Sequence, residues 1–308
     1  MQDVRQPFMG VQIRKATVDD IPGMKSFFNA HVAPFKSSYF FQWWNNIPSV
    51  TYCAVEAGEI IGLFVLLKRK LNNDLNCGVL KGLLVKPSWR GKGLFKELGD
   101  NAMRYFEDID VFCCVTNKIG KRACEKNFGF RIISNIETMV FTGNADANSN
   151  YICTPIDSNT RFDNFDQGKE DPLMFLANNE FRQWRFAAHP RFSYKLLQTD
   201  SEEFVIIKTY YDEEKGIKYG DIVDFECQKV EEKRLHDLLN CACSCLKKDA
   251  DIVTIQAIPG SFLYKAVKQM GFVESNMEHF LCLKVAEQQY EYLYNASDWL
   301  IKWGDYLR

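Results

Sequence analysis

The residues with the clearest chemical potential form a short loop within VKPSWRGKGLF, residues 85–95. An apolar run ends at Pro87, and a helical pattern of apolar residues begins at Leu94. Between them, residues 90–93 read Arg-Gly-Lys-Gly. Glycine lets the backbone approach a ligand closely, the N–H groups at a helix N-terminus attract anions, and the two cations add charge. The loop therefore predicts a phosphate-binding site between a strand and a helix.

The surrounding sequence predicts the elements that position this loop. Short apolar runs predict strands, and apolar residues at helical spacing predict helices. Strands are predicted at 11–16, 51–56, 60–69, 77–87, 110–116 and 138–143, and helices at 21–30, 94–105 and 121–128. This order predicts an α/β fold, in which a mixed sheet is flanked by helices.

Several residues recur at one spacing and predict an internal duplication. Trp43 and Trp184 lie 141 positions apart, each at the end of a Phe-x-Gln-Trp sequence, and Asn135 and Asn276 are separated by the same interval. Residues 143–170 are rich in the small polar residues that are typical of a linker. The chain is therefore expected to contain two copies of one α/β unit.

The composition is that of a globular protein with more than one domain. The chain has 308 residues, of which 46% are hydrophobic, and domains usually have about 150 residues. We expect related domains at residues 1–145 and 146–308. The net charge of -2 disfavours nucleic acid and anionic membranes as partners. No apolar run reaches the roughly 18 residues of a membrane helix, so a cytoplasmic location is expected.

The eleven cysteines favour buried thiols over disulfides or a metal site. They lie within apolar runs of a large chain that is expected to stay in the cytoplasm, where thiols are usually reduced. The densest group, Cys241, Cys243 and Cys245, has one residue between its members, whereas zinc ligands are usually separated by about two to four. We therefore expect no metal.

The loop and its flanks resemble the GCN5-related N-acetyltransferases, the GNAT superfamily. The family signature is Arg or Gln, two residues, Gly, one residue, then Gly or Ala; Arg90, Gly93 and Phe95 occupy these places, and Phe95 departs from the pattern. The resemblance covers residues 11–142 and implies an acyl-CoA donor, either acetyl-CoA or a longer acyl-CoA. The cofactor-binding residues that it implies are Leu84, Val85, Arg90, Gly91, Lys92, Gly93, Leu94, Phe95 and Asn117.

The second half resembles the same family only in the general arrangement of its elements. A shift of 141 residues places the glycine loop at 226–236, where ECQKVEEKRLH has no glycine and three glutamates. Glutamate repels a pyrophosphate, and close approach of the backbone needs glycine. We therefore expect the second half to bind the acceptor rather than CoA.

The residues that move the proton are less evident. An amine attacks a thioester only as the neutral base, so the site must accept a proton and later protonate the leaving thiolate. Family members often use a glutamate on the fourth strand and a tyrosine in the last helix; the strand here lacks an acid, and Glu125 stands in the tyrosine's place. Further candidates are Asp224, which shares a strand face with Glu226, and His189, whose imidazole titrates near neutrality. Each could instead be structural: an exposed helix residue, a solvated edge or a packed histidine.

One aromatic and charged segment of the second half suggests where the acceptor binds. Trp184 could stack on a flat ligand, Arg185 could pair with an anionic one, and Glu226 could bind sugar hydroxyls. Because Trp43 repeats Trp184, both tryptophans could instead pack the two cores. Residues 286–308 add aromatic side chains near carboxylates, which suit either a carbohydrate or a packed terminal helix.

Together these features predict an N-acyltransferase that moves an acyl group from CoA directly to a primary amine. The two-copy layout resembles tandem GNAT-like proteins of bacterial surface polysaccharide pathways, which implies a nucleotide-linked amino sugar as acceptor. A small amine such as an aminoglycoside is the alternative acceptor. Peptidyl transfer from aminoacyl-tRNA is disfavoured by the glycine loop and the near-neutral charge. A module that senses acyl-CoA without catalysis is the alternative class, and release of free thiol on turnover distinguishes it.

Overall fold

The computed structural model describes residues 8–32, 43, 46–145, 151–162, 172–198, 203–227 and 231–305, with residues 276–278 described by their backbone alone. The strands are β1 (Val11–Lys15), β2 (Ser49–Glu56), β3 (Glu59–Lys70), β4 (Asn76–Val85), β5 (Val111–Thr116), β6 (Arg131–Phe141), β7 (Ile152–Pro155), β8 (Tyr194–Gln198), β9 (Phe204–Asp212), β10 (Ile217–Glu226), β11 (Ile252–Ala257) and β12 (Phe272–Val285). The α-helices are α1 (Ile21–His31), α2 (Leu94–Met103), α3 (Lys118–Phe128), α4 (Asn179–Arg182), α5 (Glu232–Leu246) and α6 (Phe262–Gln269).

The elements predicted for the first half are confirmed, with small shifts in their bounds. The antiparallel strands β2 and β3 are joined by a turn at Ala57 and Gly58, which both have positive φ, at +49° and +83°. The last strand is longer than its prediction and begins at Arg131. It begins there because Gly129, with φ of +71°, ends α3 in the left-handed conformation that glycine adopts at little cost.

All twelve strands lie in one sheet, in the order β1-β2-β3-β4-β5-β12-β6-β11-β10-β9-β8-β7. β4 pairs with β5 and β10 with β11 in parallel, and the other neighbours are antiparallel. Strands β1–β6 of the first half correspond to β7–β12 of the second. If each strand is replaced by its counterpart, the strand order read from the opposite edge of the sheet is unchanged. The predicted mixed α/β fold is thus present, with an approximate twofold symmetry between its halves.

The two halves exchange their last strands. β12 lies between β5 and β6, and β6 lies between β12 and β11. Leu283 of β12, for example, pairs with Cys113 on one side and Arg131 on the other. Each half therefore completes its sheet with a strand from the other half. The boundary expected near residue 145 falls between β6 and β7, and the division into two domains stays a prediction.

The repeated tryptophans contact each other where the halves meet. The rings of Trp43 and Trp184 are stacked, with 4.3 Å between centroids and 9° between planes. Each indole N–H donates to the main-chain oxygen of the other residue, at 2.7 Å from Trp43 and 2.6 Å from Trp184. Both side chains are buried. This reciprocal contact joins the two copies, and the predicted repeat at 141 residues places the same atoms in matching positions.

The end of the described chain is less regular than the terminal helix that the sequence allowed. Short 3-10 turns occupy Gln288–Tyr294, Ala296–Asp298 and Trp303–Asp305. The indole N–H of the buried Trp299 donates to the main-chain oxygen of Leu293 at 2.8 Å. This segment packs against the sheet and reaches the end of β10, which places it at the second copy's counterpart of the loop region.

Candidate functional site

The loop predicted to bind phosphate lies beside a gap between β4 and β5. These parallel strands pair over a short ladder that ends at Val79 and Cys113, whereas β4 continues to Val85. Gly82, with φ of +57°, lies at a register shift between β3 and β4, which bends β4 at this point. Beyond the ladder the backbone of residues 80–85 can pair with an inserted chain that carries amide groups, in the way a further strand would.

The loop itself has the backbone geometry of an anion site. Gly91 and Gly93 have φ of +76° and +91°, and Gly93 is the N-cap of α2, which begins at Leu94. A Cβ added at Gly91 would meet no heavy atom within 4 Å, so the space beside this residue is open. Arg90 is held by a hydrogen bond from its Nε to the main-chain oxygen of Val85, at 3.1 Å. The loop thus combines open backbone, a helix N-terminus and a cation.

Lys92 supplies a second cation beside the loop. Its ammonium group lies 4.5 Å from the centroid of the Trp89 ring, which is a favourable contact for a cation. The Trp89 indole N–H in turn donates to the carboxylate of Glu56 at 3.1 Å. Trp89 therefore links the loop to β2 and gives the lysine a fixed platform.

Phe95, the departure from the family pattern, turns away from the loop. Its ring packs 5.8 Å from Phe64 and 5.3 Å from Phe128, measured between centroids. The neighbouring Leu94 is fully buried. The bulky residue thereby anchors the first turn of α2 to the sheet and to α3, and it leaves the glycine backbone of the loop uncovered.

Asn117 lies at the other side of the gap, where β5 ends. Its side-chain oxygen accepts hydrogen bonds from the main-chain N–H groups of Ile119 at 3.1 Å and Gly120 at 3.0 Å, so it caps α3. Because its oxygen serves the helix, a ligand contact here would use the amide nitrogen. Asn117 is exposed, which leaves it accessible from the gap side of the sheet.

Residues 20–130 match the model of the acetyltransferase (GNAT) family. This part of the chain is similar to the GNAT acetyltransferases. The match spans the gap, the glycine loop, α2 and α3, which are the elements described above. The matched residues are less than half of the chain, and the match supports an acyl-CoA-dependent N-acyltransferase of the GNAT type for this part. A search of curated proteins found no match.

Solved structures share the fold at low sequence identity. A candidate acetyltransferase from Pyrococcus horikoshii superimposes with a TM-score of 0.60 and 13% identity over 99% of each chain. N-myristoyltransferase of Saccharomyces cerevisiae with bound myristoyl-CoA gives 0.61 and 12%, over 92% of this chain and 84% of that one. A fungal multi-domain β-N-acetylglucosaminidase with a GCN5-related glucosamine N-acetyltransferase region gives 0.57 and 12%, over 89% of this chain and 38% of that one. These similarities establish the GNAT fold across both halves.

The second half of the protein carries charges where the first half has its gap. Asp224 and Glu226 lie at the end of β10, and Arg182 forms ion pairs with both, at 3.3 Å from Asp224. Lys302 lies 2.6 Å from Asp224 and also donates to the main-chain oxygen of Phe225 at 3.1 Å. All four charged side chains are buried. The prediction that the two acids share one face is confirmed by their common partner.

These ion pairs keep Asp224 and Lys302 charged despite burial. Burial acts to raise the pKa of Asp224, but Lys302 and Arg182 outweigh it and the pKa is lowered. Burial likewise acts to lower the pKa of Lys302, and Asp224 and Glu226 outweigh it and raise it. A carboxylate with a lowered pKa is a weaker base. The catalytic role of Asp224 and the sugar contact of Glu226 stay predictions, and the described contacts favour structural roles.

The C-terminal segment lies against the same end of β10. β10 and β11 pair over a ladder that ends at Asp221 and Thr254, which repeats the short ladder of β4 and β5. A Cβ added at Gly304 would come within 3.2 Å of the main-chain oxygen of Val223 and 3.0 Å of the Phe186 ring. The counterpart of the cofactor gap is thus occupied by the chain's own residues.

His189 is held in a turn rather than aimed at the loop. Its Nδ1 accepts from the main-chain N–H groups of Arg191 and Phe192, both at 3.1 Å, so its proton lies on Nε2. Burial, followed by the charges of Arg185, Lys208 and Arg191, lowers the pKa of His189 from its usual 6.5 to about 3. It is therefore neutral and a weak base at pH 7, and the catalytic role predicted from the sequence is untested.

Of the remaining predicted residues, Trp184 and Arg185 lie in the second half and Glu125 lies in the first. Trp184 stacks on Trp43, as described above, and the buried Arg185 donates from Nε to the main-chain oxygen of Gly304 at 3.2 Å and from Nη1 to the hydroxyl of Tyr194 at 3.0 Å. Glu125 is exposed on α3. The structure brings the predicted cofactor residues together around one gap. The predicted catalytic and acceptor residues other than Glu125 lie in the second half, where Asp224 and Glu226 share Arg182 and the charge of Arg185 acts on His189.

A row of buried polar side chains crosses the sheet on the face that bears Trp43 and Trp184, and sequence reasoning missed it. Thr254 Oγ1 donates to Asp221 at 2.5 Å, Lys208 lies 3.3 Å from Asp221, and Gln256 Nε2 donates to Thr138 Oγ1 at 3.3 Å. We call it the polar row, and its members are His279 on β12, Thr138 on β6, Thr254 and Gln256 on β11, Asp221 on β10 and Lys208 on β9.

The polar row begins next to the gap. Phe280 of β12 pairs with Thr116, the last residue of β5, so His279 lies just beyond that strand's end. A signal was present in the sequence, because at an offset of 141 the first half has Leu67, Cys113 and Val115 where the second has Lys208, Thr254 and Gln256. Only the strand register shows that these three positions lie on one face of the sheet, and the structure supplies that register.

The described ranges also bear on metal binding and on membrane insertion. No group of three or more His, Cys, Asp or Glu side chains in them is placed to hold a metal ion. The helices found there are all too short or too polar to cross a membrane.

Proposed function

We propose that this protein transfers an acyl group from acyl-CoA to the primary amine of a nucleotide-linked amino sugar. The observation that carries the proposal is the inequality of the two halves. The first half combines a gap between β4 and β5 with an open glycine loop at residues 90–93. At the same place the second half has buried ion pairs, so one acyl-CoA and one acceptor per chain is the expected stoichiometry.

Acyl transfer in this arrangement is direct. The pyrophosphate of CoA would lie on the loop and the N-terminus of α2, and its amide-bearing arm would pair with the backbone of residues 83–85. The thioester would then face the gap, where a neutral amine attacks its carbonyl carbon. The amine loses a proton, the C–S bond breaks, and the thiolate of CoA takes up a proton as it leaves.

A polar acceptor is favoured by the face of the sheet next to the gap. The polar row starts at His279 beside β5 and continues through Thr138 and Gln256 into the second half. Hydroxyl and amide side chains are the groups that recognise a polyhydroxylated ligand. The shared fold with a protein that contains a glucosamine N-acetyltransferase region also supports an amino sugar.

The test is turnover with matched acceptors. The protein is incubated with acetyl-CoA or a longer acyl-CoA and with UDP- and dTDP-amino sugars, glucosamine or an aminoglycoside, and the free thiol is measured. UDP-glucose, which lacks the amine, is the control for UDP-glucosamine. Thiol release that requires the amine, with an N-acyl product found by mass spectrometry, supports the proposal.

Each other outcome excludes one part of the proposal. Turnover with glucosamine or an aminoglycoside but none with the nucleotide-linked sugars would exclude the nucleotide-linked acceptor and favour a small amine. Tight binding of acyl-CoA without acceptor-dependent thiol would favour a module that senses acyl-CoA. Equal thiol release with UDP-glucose and UDP-glucosamine would indicate hydrolysis of the thioester.

A further inference from the structure

Two of the eleven cysteines differ from the rest in their exposure. Nine are buried, as the sequence predicts, whereas Cys153 on β7 is exposed and Cys245 on α5 is partly exposed. These two are 92 positions apart in sequence, yet their sulfur atoms lie 4.0 Å from each other. The two thiols that solvent reaches are therefore neighbours in the fold.

The distance is close to that of a disulfide but requires a small movement. A disulfide bond is about 2.05 Å long, so the two sulfurs must approach each other by roughly 2 Å. β7 can supply this movement because it is a four-residue strand at the edge of the sheet, and each of its residues is exposed. It pairs with β8 alone, through Ile152 to Pro155.

The surroundings of the pair allow thiol exchange. Burial and the neighbouring Cys245 raise the pKa of Cys153, while the positive charges of Lys195 and Lys248 act to lower it. Cys245 also borders an open cavity whose lining includes Pro155, Lys195 and Asp249, so a reagent can approach from that side. Geometry and access thus both favour a reaction between the two sulfurs.

We propose that Cys153 and Cys245 form a reversible disulfide that ties the edge strand β7 to α5. The oxidant is a small disulfide such as oxidised glutathione. One thiolate attacks a sulfur of the oxidant and releases one glutathione thiolate, which leaves a mixed disulfide on the protein. The second cysteine sulfur then attacks the protein-bound sulfur and releases the second glutathione. Two electrons pass from the cysteines to the oxidant, and the two thiol protons pass to the released glutathione molecules.

The tie would restrain the start of the second half. β7 lies within residues 143–170, the predicted linker, and α5 packs against the apolar core of the second half. In the reduced protein, β7 is held by its pairing to β8 and by little apolar contact, as its exposure shows. Oxidation adds a covalent link across the surface without entering the gap of the first half, so binding of CoA is expected to be unchanged.

The experiment uses the whole protein under native conditions. The reduced protein is treated with oxidised glutathione, free thiols are alkylated with iodoacetamide before and after unfolding, and the peptides are identified by mass spectrometry. We expect both Cys153 and Cys245 to lose alkylation at least tenfold, a crosslinked peptide pair to appear, and dithiothreitol to reverse both changes. Amide exchange at Ile152–Pro155 should also slow in the oxidised protein.

Variants separate a true pair from two independent thiols. Cys153→Ser and Cys245→Ser should each yield a stable glutathione adduct on the remaining cysteine instead of a crosslink. Cys241→Ser, on the same helix but at a buried position, should form the crosslink normally. Wild-type protein that gives two separate glutathione adducts, or that leaves both thiols free to be alkylated, would overturn the proposal.

Discussion

The two halves share one frame and differ most at one place, the end of the fourth strand of each copy. In the first half, β4 ends in apolar residues up to Val85, followed by the open glycine loop. In the second half, β10 ends with Asp224 and Glu226, which are paired with Arg182 and Lys302. The comparison shows that a cofactor gap needs open space beside the strand. In the second half, charged side chains and the C-terminal segment occupy that space, and the same strands form part of the packed core.

A second difference lies on the face of the sheet that carries the tryptophan pair. Leu67, Cys113 and Val115 are apolar or weakly polar in the first half, and the matching positions of the second half belong to the polar row. Buried polar groups are costly unless they are paired, so they are seldom retained without a role in specificity or binding. The first half is thus specialised at its gap for the cofactor, whereas the otherwise apolar interior of the second half contains most of the polar row.

The largest expected effect comes from closing the loop of the first half. Gly93→Val places a β-branched side chain at φ of +91°, a conformation that only glycine adopts readily. We expect binding of CoA to be abolished, as measured by isothermal titration calorimetry. Gly260→Val is the matched control, because Gly260 has φ of +82° and precedes α6 in the second half. Equal loss of CoA affinity in both variants would contradict the assignment of the site to the first half.

The next effect comes from breaking the charge cluster of the second half. Arg182→Ala leaves Asp224 and Glu226 without one of their partners in a buried site. We expect the free energy of unfolding to fall by about 3 to 5 kcal/mol, measured by urea denaturation. Lys218→Ala removes an exposed ion pair with Asp249 and should cost about 0 to 1 kcal/mol. A cost of only about 0 to 1 kcal/mol in Arg182→Ala would show that the ion pairs of Arg182 do not stabilise the second half.

Features formed by residues that are close in sequence could be predicted from the sequence, whereas contacts between distant residues could not. The glycine loop was predictable because its geometry is set by four neighbouring residues, and the shared face of Asp224 and Glu226 followed from strand alternation. Their partner Arg182 lies 42 positions away from Asp224, and no local pattern connects them. The exchange of β6 and β12 depends in the same way on contacts between the halves, which a single half does not encode.

The pH dependence of stability tests the role of His189. Its pKa is lowered to about 3 when folded, whereas the unfolded chain has the usual 6.5. Between these values the unfolded state binds the additional proton, so stability that is complete above pH 6.5 is lost as the pH falls toward 3. From pH 6.5 to 4.5 the loss attributable to His189 should be about 2 to 3 kcal/mol. The measurement is urea denaturation across this range, and His189→Gln should flatten the curve; an unchanged slope would show that another group titrates.

A smaller effect is expected at the contact that joins the halves. Trp43→Phe keeps an aromatic ring against Trp184 and removes the hydrogen bond from its indole N–H. We expect a loss of about 1 to 2 kcal/mol in the free energy of unfolding. Trp184→Phe should cost the same within error if the contact is symmetric. The double variant should be less destabilised than the two single losses added together, because each side chain stacks on the other. Strictly additive losses would show that the two residues act separately.

The smallest effect on stability is expected for a double variant within the polar row. This variant tests whether the row serves folding alone or also binds the acceptor. Gln256 is fully buried, and its Oε1 has no hydrogen-bond partner among the described residues, while its Nε2 donates to Thr138. Replacing both partners, in Thr138→Val with Gln256→Leu, removes the pair without leaving either group unsatisfied, so the change in stability should be within about 0.5 kcal/mol. Thr254→Val, by contrast, deprives Asp221 of a donor and should cost about 1 to 3 kcal/mol.

If the polar row also recognises the acceptor, the double variant Thr138→Val with Gln256→Leu should raise KM for UDP-glucosamine and leave CoA affinity unchanged. A stable double variant with unchanged KM would restrict the row to the core and place acceptor recognition elsewhere on this face.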